Sequence, residues 1–283
     1  KLRMSRDEVV REAINAVSYA KTLTQEVEFS AEDGSRSDRD YLCRVFEAAI
    51  EAGATTVNLP DTVGYAVPEE FAEFIRNLME RVPNMYQAVL SVHCHNDLGL
   101  AVANSVAAIK HGARQVEVTV NGIGERAGNA SLEELVMAMK VRRDLLPYTT
   151  GIDTRQIYHS SRLLSNIIGF PIPRNKPVVG ENAFAHESGI HQHGVLRNRE
   201  TYEIMDPAHI GRNREALVMG RHSGKAALKE KLEQYNIVLD DTQMDGLYQK
   251  FIAVADKKKY TRERTGVFFS ESLSEPVWGV PPL

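Results

Sequence analysis

Residues 91–99 read S-V-H-C-H-N-D-L-G, and the two histidines one residue apart are the first candidates for chemistry in this chain. They follow the apolar run Ala88, Val89, Leu90, which reads as a buried strand. On a strand, side chains two positions apart share a face, so His93 and His95 project together and Cys94 projects away. Two imidazoles on one face at a strand end make two ligands of a facial metal site. Two hydrogen-bonded polar histidines beside a loop fit the same spacing, and these nine residues do not separate the two readings.

The elements that must hold this pair repeat along the first half of the chain. Residues 26–29 read as a strand. A helix follows, with Ser37 as its expected N-cap, Asp40 completing a capping box, and Leu42, Val45, Phe46, Ala49 and Ile50 as its apolar face. Gly53 ends it. A strand over 55–59 leads to a helix that starts at Pro68 and buries Phe71, Ile75, Leu78 and Val82. The strand over 88–92 precedes a helix from about 100 to Gly112. The strand over 115–120 precedes a helix from about 131 to 145. The segments G-A-T-T-V (53–57) and G-A-R-Q-V (112–116) begin two of these strands alike. Strands alternating with helices at a spacing of roughly thirty residues predict βαβ units and a parallel sheet.

The polar residues fall after the strands. Ser30, Glu32 and Asp33 follow the first, and Asn58, Asp61 and Thr62 the second. His93, His95, Asn96 and Asp97 follow the third, and Asn121, Glu125, Arg126 and Asn129 the fourth. All are expected on one rim, at the C-terminal ends of parallel strands, where (β/α)₈ barrels carry their active sites. Strand-to-helix loops are polar in any case, but that accounts poorly for paired histidines beside the Gly-rich N-G-I-G-E-R-A-G-N (121–129).

Composition narrows the class. The chain has 283 residues, 43% hydrophobic content and a net charge of -4 with both signs mixed, which gives no footprint for nucleic acid or an anionic membrane. Two cysteines, Cys43 and Cys94, make no disulfide framework, so a reducing, cytoplasmic setting is expected. The apolar runs are too short to span a bilayer. The chain opens without an initiator Met, straight into a helix, which suggests residues upstream. The expected organisation is a barrel portion over 1–147, helical subdomains over 148–257 with Pro171, Pro173 and Pro177 in a linker, and an irregular tail over 258–283. Helical patterns are expected at 153–169, 213–234 and 241–257, and a His-rich stretch lies at 185–194.

Several motifs together resemble the 2-isopropylmalate synthases. These are F-S-A-E-D (29–33), N-L-P-D-T-V-G-Y (58–65), S-V-H-C-H-N-D-L-G-L-A-V-A-N (91–104), N-G-I-G-E-R-A-G-N (121–129), H-E-S-G-I-H-Q (186–192), R-E-T-Y-E-I-M-D-P (199–207) and G-R-H-S-G-K (220–225). The match runs in order over about 1–257. The wider family holds homocitrate and citramalate synthases and the hydroxymethylglutaryl-CoA lyases, which differ at the fourth loop. The resemblance implies the C-terminal half of a (β/α)₈ barrel followed by a small helical region. It implies a leucine-pathway acyltransferase that joins acetyl-CoA to 2-oxoisovalerate with a divalent metal, manganese first and magnesium, zinc or cobalt as alternatives.

It also implies roles: His93, His95 and Asn129 on the metal, Glu32 as a catalytic rim carboxylate, and Thr62 on the 2-oxoacid carboxylate. Glu125 lies in the active-site loop. His191 and Tyr202 are implied to serve the neighbouring subunit of a domain-swapped homodimer. His191 read without the family is an ordinary loop histidine, and Tyr202 an ordinary half-buried interface residue. The family's D-R-E motif, which supplies a metal carboxylate, does not occur in this sequence, nor does its C-terminal regulatory domain. The expectation is therefore that the 283-residue chain alone is inactive. A citramalate or homocitrate synthase, or a non-catalytic truncated chain, stands as the alternative.

Overall fold

The computed structural model describes residues 3–185, 198, 201–213, 224–233 and 237–255. It divides into two compact units, 1–152 and 153–283. In the first unit, α1 (Arg6–Lys21) precedes four strand–helix repeats. These are β1 (Glu28–Ser30) with α2 (Arg39–Glu51), β2 (Thr56–Asp61) with α3 (Pro68–Arg81), β3 (Val89–Cys94) with α4 (Ala101–His111), and β4 (Gln115–Glu117) with α5 (Leu132–Val141). The strands form one parallel sheet in the order β1-β2-β3-β4.

The register sorts the sheet's two faces by chemistry. Ser30, Asn58, Ser91 and Gln115 stand in one row, and Pro60, His93 and Glu117 in the next, so polar side chains share one face. The opposite face carries Val57, Leu59, Leu90, Val92 and Cys94, all buried in one core with Phe46, Phe71, Ile75, Leu78 and Ala108 from the helices. The helices therefore cover the apolar face, and the polar face carries the site. Phe46 anchors the core edge-on against Phe29, with ring centroids 6.4 Å apart.

Three boundaries differ from the sequence reading. The first strand starts at Glu28, not 26, because its pairing with β2 begins at Thr56. The cap of α2 is Asp38, whose carboxylate accepts from Tyr41 N at 2.8 Å, while Ser37 closes the short 3-10 turn before it. That turn uses the hydroxyl that would have capped: Ser37 Oγ donates to Asp33 O. Helix α5 ends at Val141 rather than near 145, because Arg142 leaves helical geometry at φ −106°, ψ 44°.

The second unit holds α6 (Ile157–Ile168), α7 (Lys225–Glu233) and α8 (Asp241–Ala255), helical as expected. Residues 214–223, most of the His-rich stretch from 186, and the tail from 256 lie outside the described residues. No helix among the described residues is long and apolar enough to cross a membrane.

Candidate metal and active site

Strand β3 ends where the site begins. His93 and His95 turn to the same side, and their Nε2 atoms stand 2.9 Å apart, ring centroids at 4.9 Å. Cys94 turns the other way into the core, where burial pushes its thiol up to about 12, leaving it an inert apolar filler. An Nε2–Nε2 distance of 2.9 Å suits two cis ligands about 2.05 Å from one cation, because perpendicular bonds of that length span this gap.

The Gly-rich loop brings the third donor. Asn129 bridges His95 across an isolated antiparallel pair, and Ala130 N donates to Cys94 O at 2.9 Å. Asn129 Nδ2 donates to Ile123 O at 2.9 Å, while Asn129 Oδ1 is buried without a hydrogen-bond partner. A buried amide oxygen without a donor costs free energy unless a cation or water meets it. Two imidazole nitrogens and an amide oxygen form an N/O set suited to divalent metals such as manganese, magnesium, zinc or cobalt. Among the described residues, no group of three or more His, Cys, Asp or Glu side chains forms a ligand cluster. The set therefore needs oxygen donors from elsewhere to reach full coordination.

The loop's shape depends on glycine. Gly128 sits at φ +89°, and a Cβ there would lie 2.0 Å from Gly122 O. Gly124 leaves room for Asn129, whose Nδ2 would be 2.2 Å from an added Cβ. The buried Glu133 carboxylate closes the loop's other end, accepting from Asn121 N at 2.8 Å and from Ser131 Oγ.

Outer partners orient the two histidines differently. Glu117 Oε2 approaches His93 Nδ1 at 2.7 Å, a close electrostatic approach, since that nitrogen has no aligned hydrogen-bond partner. Asn58 Nδ2 ties Glu117 Oε1 to Ser30 Oγ, with both contacts at 3.1 Å. Gln115 Nε2 donates to Glu28 Oε2 at 2.7 Å and to Ser91 Oγ at 3.2 Å. Burial, and then the neighbouring Glu117 carboxylate, raises Glu28 above the usual carboxylate range. Across the pair, Arg126 Nη2 lies 3.0 Å from His95 Nδ1. Arg126 also grips Asp97 with two bonds, at 2.8 and 3.0 Å, and donates to Thr62 O at 2.8 Å. Burial lowers both imidazoles below their ordinary value. His95 is lowered further by His93 and Arg126.

Thr62 Oγ1 accepts from Asp33 N at 2.9 Å, at the rim as expected. Glu32 is exposed in the loop after β1. Glu125 is exposed, with Arg126 at 3.5 Å. Tyr202 belongs to the second unit and is 41% exposed. His191 lies outside the described residues. Reading the sequence missed Glu117 and the network through Asn58, Gln115 and Glu28. The polar–apolar–polar Q-V-E of β4 was the available signal, but only the register sets Glu117 opposite His93.

The HMGL-like family model matches residues 1–164, and a homocitrate synthase post-HMGL domain-like model matches residues 178–259. The chain belongs to the HMGL-like family. It is 62% identical over 281 residues to the 2-isopropylmalate synthase of Carboxydothermus hydrogenoformans, covering 99% of this chain and 55% of that protein. It is 56% identical over 259 residues to that of Methylorubrum populi, covering 92% of this chain and 50% of that protein. The chain thus spans about half the length of the curated relatives it matches. Among solved structures, the HMG-CoA lyase of Bacillus subtilis shares the fold at a TM-score of 0.50 and 22% identity, over 62% of this chain and 60% of that one.

Proposed function

We propose that this chain carries the metal-ligating rim of a 2-isopropylmalate synthase, which condenses acetyl-CoA with 2-oxoisovalerate to give 2-isopropylmalate and CoA. The observation that carries the reading is the convergence of His93 and His95 at 2.9 Å beside the partnerless, buried Asn129 Oδ1. The substrate assignment is supported by the relatives named 2-isopropylmalate synthase at 56–62% identity. When bound, a divalent ion, manganese in this proposal, supplies a Lewis acid for the 2-oxoacid carbonyl.

The residues divide the remaining work. His93, His95 and Asn129 hold the ion. The Thr62 hydroxyl accepts from Asp33 N and keeps its own proton to donate to the substrate carboxylate. Glu32 is a rim carboxylate suited to proton transfer, and Glu125 lines the mouth of the loop. His191 and Tyr202 act in the neighbouring site of a swapped homodimer. The enzyme is cytoplasmic in this reading. Four parallel strands do not close a barrel that takes eight, so the site requires complementary strands.

The test is thiol release from acetyl-CoA with manganese and 2-oxoisovalerate. It is run on the 283-residue chain alone and after mixing with the unmatched portion of the Carboxydothermus relative. The expectation is no turnover alone and 2-oxoisovalerate-dependent release once the two portions associate. Robust release by the chain alone contradicts the need for complementary strands. No release from an associated mixture contradicts the function. A homocitrate-type reaction is the competing reading, favoured by the description of the second family model. Faster release with 2-oxoglutarate than with 2-oxoisovalerate would establish it.

A further inference from the structure

The hydrogen bonds at the histidine pair fix where its protons sit. Arginine donates and never accepts. Arg126 Nη2, 3.0 Å from His95 Nδ1, therefore makes that nitrogen the acceptor, and a neutral His95 carries its proton on Nε2. That N–H faces His93 Nε2 at 2.9 Å, which must accept. His93 then carries its proton on Nδ1, 2.7 Å from Glu117 Oε2, a position that favours an N–H. The order of donation runs from Arg126 through His95 and His93 to Glu117.

The two histidines are thus prepared differently for a metal. His93 offers a lone pair on Nε2 with its other nitrogen facing a carboxylate, the arrangement common to metal-binding histidines. The His95 Nε2 lone pair is occupied by a proton. Moving that proton to Nδ1 would point an N–H at a guanidinium, which cannot accept it. We propose that Arg126 is a latch on the metal site: it holds His95 in the tautomer that cannot ligate through Nε2, and cation uptake requires Arg126 to leave Nδ1.

The local geometry allows that release. Nη2 has two hydrogens and three acceptors within 3.0 Å: Thr62 O, Asp97 Oδ2 and His95 Nδ1. Giving up His95 leaves as many acceptors as hydrogens. Asp97 keeps its bond to Nε. Arg126 sits in the left-handed region at φ 54°, on a glycine-flanked loop, and its side chain is 42% exposed.

The proposal rests on the reading of His93 and His95 as metal ligands, and its test separates the two. The 283-residue chain, Arg126→Gln, Arg126→Lys and a His93→Ala/His95→Ala double variant are titrated with manganese chloride. Free ion is followed by electron paramagnetic resonance, and folding is checked by circular dichroism. Histidine tautomers are read in the metal-free chain by long-range ¹H–¹⁵N NMR. The wild type should show His95 protonated on Nε2. Arg126→Gln should shift the proton toward Nδ1 and bind manganese about 10-fold more tightly. Arg126→Lys keeps a cationic donor and should bind like the wild type.

A wild-type His95 protonated on Nδ1 overturns the latch. So does equal binding by wild type and a folded Arg126→Gln. If that equal binding is abolished in the double variant, the metal reading stands and the latch alone falls. If no variant takes up manganese, both fall.

Discussion

At the scale of single residues, the site is a contest between what the histidines need and what surrounds them. Asn129 Oδ1 is the donor with no competing partner. Asn129→Leu should weaken manganese binding by more than the roughly 10-fold typical of losing an outer partner. Asn129→Asp, which keeps an oxygen at this position, should retain binding. Calorimetric titration of the two variants checks both expectations.

Glu28 offers a second test, through stability. Its carboxyl is raised by burial and by Glu117, so the folded chain binds its proton more tightly than the unfolded chain. Stability from that proton is present below the unfolded value of about 4.5 and is lost as pH rises through the raised folded value. Glu28→Gln should therefore melt higher than wild type at pH 7, with the advantage gone below about pH 4.5. An equal Tm at pH 7 would mean that the carboxylates do not repel. His93, His95 and Asn129 were legible in the sequence because alternation and a long motif mark them. Glu117 was not, because its role exists only through the alignment of β4 with β3.

At the scale of elements, the strand–helix repeat was legible because helical spacing marks each buried face. Phe71, Ile75, Leu78 and Val82 are buried as that spacing requires. Helix ends were less legible, because adjacent residues compete for one cap. Asp38 caps α2 while the Ser37 hydroxyl serves the preceding turn. Phe46→Ala should cost about 3–5 kcal/mol, because a fully buried aromatic ring leaves a cavity in the core. Urea unfolding monitored at the first unit measures it. Gly128→Ala forces a Cβ against Gly122 O at 2.0 Å, so the loop must move and carry Asn129 with it. The expected result is weaker manganese binding with the core's unfolding midpoint little changed. Unaltered binding would show that the loop shape is not what presents Asn129.

At the scale of the whole molecule, the sheet separates two tasks. Its apolar face holds the helices, and its polar face ends in the histidine pair. Parallel order and the rim position of the site followed from the thirty-residue repeat. The polar network across the sheet did not, since it joins residues as far apart as Glu28 and Gln115. The chain spans about half the length of the curated relatives it matches, so the ligand set is the part of the chemistry that this chain tests alone. The most direct measurement is pulsed electron paramagnetic resonance of manganese added to the 283-residue chain. The account predicts couplings to two imidazole nitrogens, reduced to one in His93→Ala and in His95→Ala. A spectrum of hexaaqua manganese, unchanged by the protein, would contradict it.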